Sequence, residues 1–230
     1  MNFRYVYSIL FLTFGLTSSY GQFGLNVRYA INNFNEWSET TETFSGGPIW
    51  ENNLEYAVDY WFRPGDIRIE YSAEATLGFA NTTLGTRDYY LNSFGVGVKS
   101  NIYVFDFFSD CDCPTFVKDA QLFKKGFFVQ WNANAALWNK SEDELQANHT
   151  NLALDVGAGI GFDIGVSELL TVTPYVTYHY YPRVNYDQFN ELHGNLDSAV
   201  DNTTAVTRLK LGVRIGFRQD YKKEQRFLRR

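Results

Sequence analysis

The feature that most constrains this chain is a strict alternation of apolar and polar residues, sustained over thirteen or more positions at a time. From Ile67 the odd positions read Ile67, Ile69, Tyr71, Ala73, Ala75, Leu77 and Phe79, and between them stand Arg68, Glu70, Ser72, Glu74, Thr76 and Gly78. From Leu152 the even positions read Leu152, Leu154, Val156, Ala158, Ile160, Phe162, Ile164 and Val166, alternating with Ala153, Asp155, Gly157, Gly159, Gly161, Asp163 and Gly165. Successive side chains of a strand point to opposite faces, so each segment has one apolar and one polar face. About 9–11 tilted residues suffice for a strand to cross a bilayer, and these runs are long enough.

The same reading predicts eight strands, at 23–32, 50–62, 66–80, 91–105, 125–138, 151–166, 169–181 and 205–218. An even count brings the chain back to the side where it started, and closing the sheet removes edges that hydrocarbon could not satisfy. The expected fold is all-β: an eight-stranded antiparallel up-and-down transmembrane β-barrel with both termini in the periplasm. Arg63-Pro64-Gly65-Asp66 and Ser167-Glu168 read as tight periplasmic turns, and the polar stretches 33–49, 81–90, 139–150 and 182–204 as long outer loops. The link 106–124 is long for a periplasmic turn, and Phe105, Phe107, Phe108 and Phe116 make it apolar enough to cap the barrel mouth or dock a partner. A soluble eight-stranded ligand carrier also alternates, but it turns its apolar face inward, whereas here the other face carries many charges and glycines.

Residues 1–21 read as a cleaved signal peptide: Arg4, an apolar run from Tyr5 to Leu16, then Ser19 and Gly21 three and one before Gln22. The expected organisation is leader 1–21, barrel 22–218 and a basic periplasmic tail 219–230. No run of 18 apolar residues follows the leader, so no membrane helix is expected. An aromatic content of 18% is high for a water-soluble domain and suits the girdles of a membrane barrel. With 26 acidic against 20 basic residues, nucleic acid is a poor partner. Cys111 and Cys113, two apart before Pro114, do not form a disulfide framework and have at most a local role.

If the apolar set faces lipid, the lumen receives Arg28, Arg68, Lys99, Arg208, Lys210 and Arg214 together with Glu55, Asp59, Glu70, Glu74, Asp155 and Asp163. Such charges must be paired to be carried in a confined interior, and eight strands leave room for little beyond side chains. A sealed, salt-bridged plug is expected, and free solute diffusion is not. The histidines His149, His179 and His193 show no metal-ligand spacing, so no metal or other cofactor is expected. His179 is expected to point inward, with no serine and carboxylate placed to form a catalytic triad at the lipid-facing rim. Gly157, Gly159 and Gly161 alternate on one face and make room for bulky lumen side chains rather than for a phosphate.

The segment Lys210-Leu211-Gly212-Val213-Arg214-Ile215-Gly216-Phe217 resembles the terminal signal of outer-membrane barrels, with Lys210, Gly212, Ile215 and Phe217 at its marked positions. With the leader, the mature chain resembles the small outer-membrane barrels of the Bacteroidetes type, the broad PorT-like and OmpA-like set. That resemblance implies an outer-membrane location and assembly by the barrel insertion machinery, and it carries no catalytic residue. The expected function is a non-enzymatic structural or accessory component of the envelope or of its secretion or assembly machinery. A ligand-binding or narrow-specificity transport barrel is the alternative, and a lipid-modifying barrel enzyme the third. Expected partners are outer-membrane lipid and lipopolysaccharide, whose phosphates acidic loops would reach through divalent cations. A periplasmic or secretion partner would meet the basic tail.

Overall fold

The structure, a computed structural model, describes residues 22–34, 50–62, 67–84, 87–105, 126–142, 148–167, 169–185 and 203–217. The leader, the basic tail, the link 106–124 with both cysteines, and His193 lie outside them. The strands are β1 (Gln22–Asn33), β2 (Asn52–Phe62), β3 (Ile69–Leu84), β4 (Arg87–Ile102), β5 (Phe127–Glu142), β6 (Asn148–Phe162), β7 (Ile164–Gly165), β8 (Leu170–Asn185) and β9 (Thr203–Phe217). The strands pair antiparallel in the order β6-β5-β4-β3-β2-β1-β9-β8-β7, and β6 on β8 closes the sheet into a ring. The two-residue β7 continues β6 beyond Asp163 in unbroken register, Gly161↔Tyr175 giving way to Ile164↔Val172. Eight staves therefore form the barrel. The interruption falls opposite Pro174, which has no amide hydrogen for the ladder.

Alternation becomes inside and outside. Leu25, Val27, Val58, Leu77, Val96, Leu154 and Val213 are exposed on the outer wall. Phe23, Phe62, Tyr71, Trp131 and Phe217 ring the end at which β1 begins and β9 stops, here the terminal end. Tyr29 and Tyr180 stand further toward the opposite, far end, where the Tyr29 hydroxyl donates to Asn52 Oδ1 at 2.6 Å. Amphipathic rings at two levels are what a wall between an apolar slab and two wet surfaces requires.

Strands run past the predicted boundaries at the far end. Positions 81–90 and 139–150, expected to be loops, are largely strand, with Thr83↔Asp88 and Lys140↔His149 still paired. Likewise β8 continues to Asn185 and β9 starts at Thr203. Backbone pairing needs no apolar side chains, so hairpins continue into polar sequence after the outward apolar row of β3 ends at Phe79. At the terminal end, Ser167 forms the expected tight turn: its backbone amide donates to the Leu170 carbonyl (3.2 Å), and its hydroxyl accepts from the Leu170 amide (3.1 Å).

Candidate functional site

The polar interior is stacked in three layers. At the terminal end Arg68, Glu70 and Asp163 converge on Tyr103, just past β4. The Arg68 guanidinium lies 4.3 Å from the Tyr103 ring centre. The Tyr103 hydroxyl reaches Glu70 at 2.8 Å and also bonds Asp163, to which Thr173 donates in turn. Tyr103 packs on Phe128, ring centres 5.5 Å apart, so these two rings close the mouth. Phe105 does not cap it: it is 65% exposed and packs outside, against Phe127. The other three phenylalanines of the predicted cap lie outside the described residues.

The middle layer is a continuous ionic lattice. Arg214 binds Asp59 with two nitrogens, Nη2 to Oδ1 at 2.7 Å and Nε to Oδ2 at 2.8 Å. Lys99 links Asp59 (2.9 Å) to Glu74 (2.7 Å), and Glu74 receives Arg28 at 2.5 Å. Glu55 then serves Arg208 (2.7 Å), Lys210 (3.1 Å) and, at 3.8 Å, Arg28. Neutral partners complete the shell: Asn26 donates to Asp59 and Asn134 to Asp155. Shared charges with several hydrogen bonds each can be carried without water, and removing any one strands its neighbours.

The twelve lumen positions named from alternation are all turned inward by the closed register, eleven of them buried and Arg214 part-buried. Their partners come from strands far apart in sequence, which spacing cannot reveal. His179 also points inward, as its parity predicts, with Nδ1 2.8 Å from Asp155 and Nε2 3.1 Å from Thr177. That occupies both ring nitrogens inside the wall. Gly159 provides close approach: a Cβ there would lie 2.1 Å from the Val176 carbonyl oxygen. Of the terminal-strand residues, Lys210 and Gly212 face the lumen and Ile215 and Phe217 the exterior.

The far layer escaped sequence reasoning. There the inward positions turn apolar, and Phe34, Trp50, Tyr89, Leu91, Trp138, Tyr181, Val184 and Val206 join in one buried cluster. Phe34 packs on Trp50 (5.7 Å) and Trp138 (6.0 Å), and Trp138 on Tyr181 (5.0 Å). Trp50 holds a left-handed backbone (φ 46°), rare for a bulky residue, with its carbonyl accepting from Asn32 Nδ2 at 2.7 Å. The signal was present as large residues on the polar-face parity of the strands, such as Trp138 two positions before Lys140. Only closure shows that they meet.

Between these layers little space remains. One cavity of about 20 Å³ lies beside Arg28, Glu55 and Arg208, and another of about 10 Å³ beside Lys99 and Tyr175. Among the described residues no group of three or more His, Cys, Asp or Glu side chains is placed to hold a metal. A concavity of about 720 Å³ between Tyr29, Ile160, Pro174 and Leu211 is an apolar trough on the outer wall.

No protein-family model matches the chain, and neither does any curated protein. Solved structures that it is similar to include Neisserial surface protein A, at 12% identity and TM-score 0.46, covering 86% of this chain and 97% of that one. A second is the attachment invasion locus protein Ail of Yersinia pestis, at 10% identity and TM-score 0.43, covering 86% and 99%. A third is a major outer membrane protein from Thermus thermophilus, at 10% identity and TM-score 0.45, covering 86% and 99%. At these values the likeness assigns no function, and the barrel rests on its own closed ladder.

Proposed function

We propose that this chain is a non-enzymatic β-barrel of a bacterial outer membrane, with both termini periplasmic, acting as a structural or accessory component of the envelope rather than as a diffusion pore. The observation that carries this reading is the joint arrangement of an apolar outer wall and a filled, cross-braced lumen. The outward apolar row of β3, from Ile69 to Phe79, has the length a tilted strand needs to cross hydrocarbon. The ladder closes around the sheet, β1 on β9 and β6 on β8 from Val156 to Gly161, which pairs most of the backbone at that level. Among the described residues, an interior with cavities of about 20 and 10 Å³ leaves no room for a nutrient-sized solute.

Lipid and lipopolysaccharide are the surroundings proposed for the wall and far end, and the insertion machinery is the partner proposed for β9. A periplasmic or secretion partner is proposed for the basic tail 219–230, and the leader for 1–21. Placement in the PorT-like set belongs to the same proposal and rests on the terminal-strand pattern.

Fractionation, gel mobility and planar-bilayer recording test it together. The expected result is a salt-resistant outer-membrane protein that changes mobility on boiling and leaves the bilayer electrically quiet. Recovery in the soluble periplasm overturns the membrane reading, and discrete solute-sensitive current steps overturn the sealed one in favour of transport.

A further inference from the structure

We propose that the lumen holds one small inorganic anion of the halide class, seated in the cavity between Arg28, Arg208 and Lys210. Three features converge there. The first is charge: the cavity is lined by three cations, Arg28, Arg208 and Lys210, against two carboxylates, Glu55 and Asp155. The surrounding lattice does not absorb the excess, because Glu74 and Asp59 are already shared with Lys99 and Arg214. The remaining acidic groups, Glu70 and Asp163, hydrogen-bond Tyr103 at the terminal end, where with Arg68 they leave one negative charge, so the excess beside the cavity is balanced only at a distance. Protonation of His179 only enlarges the positive balance. A charge balanced only at a distance in a medium that water does not penetrate is costly, and a counter-ion beside it lowers that cost.

The second feature is donors without acceptors. Arg208 is 1% exposed, yet its Nε and Nη2 have no hydrogen-bond partner, and Nε of Arg28 has only Glu55 Oε2, at 3.8 Å. Only Nη1 of Arg208 is engaged, by Glu55 at 2.7 Å and the Tyr181 hydroxyl at 3.4 Å. The guanidinium is held by aromatic faces, 4.9 Å from the Trp138 ring centre and 5.2 Å from that of Tyr181. Buried guanidinium donors call for an acceptor, and an anion is the stronger one.

The third feature is size. A void of about 10–15 Å³ admits one water, so about 20 Å³ admits a single monoatomic ion and excludes phosphate, sulfate or a carboxylate ligand. Bounded by the lattice on one side and by Trp138 and Tyr181 on the other, the ion is a structural counter-charge incorporated on folding, not a transported solute.

The test is to purify the protein from membranes, unfold it, refold it in sodium bromide without chloride and crystallise it. An anomalous bromine peak within contact distance of Arg208 and Lys210 is the expected result, with the peak lost in an Arg208→Met protein that still shifts mobility on boiling. Density in the cavity without anomalous signal means water alone and overturns the proposal. As a measurement that needs no variant, the unfolding midpoint of the unsubstituted protein should rise by several degrees in chloride or bromide relative to gluconate at equal ionic strength. An unchanged midpoint also overturns it.

Discussion

Arg214 reaches across Gly24 to grip Asp59, its Nη2 2.7 Å and its Nε 2.8 Å from the two carboxylate oxygens. Gly24 stands opposite both Asp59 on β2 and Gly216 on β9, and a Cβ on Gly24 would lie 2.4 Å from Arg214 Nε. The last strand is thus clasped to the second over a first strand that is bare at that point, which secures the seam where the two ends of the barrel sequence meet.

Loss of Asp59 should therefore cost more than loss of Arg214. Asp59→Ala strands Arg214 and leaves Lys99 with Glu74 alone, whereas Arg214→Met leaves Asp59 with Lys99 and Asn26. Breaking a buried pair by removing one partner costs about 3–5 kcal/mol, and the Asp59 variant should lie at or above the top of that range. The temperature at which the folded gel band is lost should fall in the order wild type, Arg214→Met, Asp59→Ala. A reversed order would show that Asp59 is not the hub.

Outer-wall depth can be read from one strand. Val156, 60% exposed, and Thr150 share the outward face of β6, six positions apart. Val156→Arg should block assembly, since a basic residue at mid-bilayer costs roughly 2–4 kcal/mol, while Thr150→Arg, beyond the apolar row, should assemble normally. Equal yields of folded protein from the two variants would refute the lipid-facing assignment.

Gly159 tests the tightness of the wall. Any side chain there meets the Val176 carbonyl oxygen at 2.1 Å, and backbone cannot swing aside as a flexible side chain can. Gly159→Val should yield no heat-modifiable barrel, whereas Ala158→Val on the opposite face should fold. Assembly of the Gly159 variant would mean that the strands separate there more readily than the register implies.

The seam between β6 and β8 should be the first to open. Among the described residues its ladder runs from Val156↔Tyr180 to Gly161↔Tyr175, while β6 pairs with β5 over its whole length. Nearer the far end the β8 register with β9 shifts between Tyr181 and Val184, and side chains from Lys140 and Asn151 take the Asn185 carbonyl in place of a ladder bond. In hydrogen exchange, amides of residues 151–155 that face β8 should be lost before those of Ala73 to Leu77 in the fully paired β3. Equal protection would count against a weak seam.

Sequence by itself determined the strands and their two faces. A period of two fixes which side chains share a face, so Arg28, Glu55, Glu74 and Arg208 could be placed on the polar side from their parity alone, and the chain's even strand count implied closure. What the sequence did not determine is which charges meet. Arg208 and Glu55 are 153 residues apart, and Arg214 and Asp59 are 155 apart. Their contact depends on the stagger of strands around the barrel, a property of the closed sheet and not of any segment. For the same reason the meeting of Trp50, Trp138 and Tyr181 in the far layer was not legible: Trp50 precedes β2, Trp138 and Tyr181 stand on strands β5 and β8, and only the curvature of the wall brings the three to one place. Strand ends were overrun because apolar alternation reports contact with hydrocarbon, whereas hydrogen-bonded pairing continues into water.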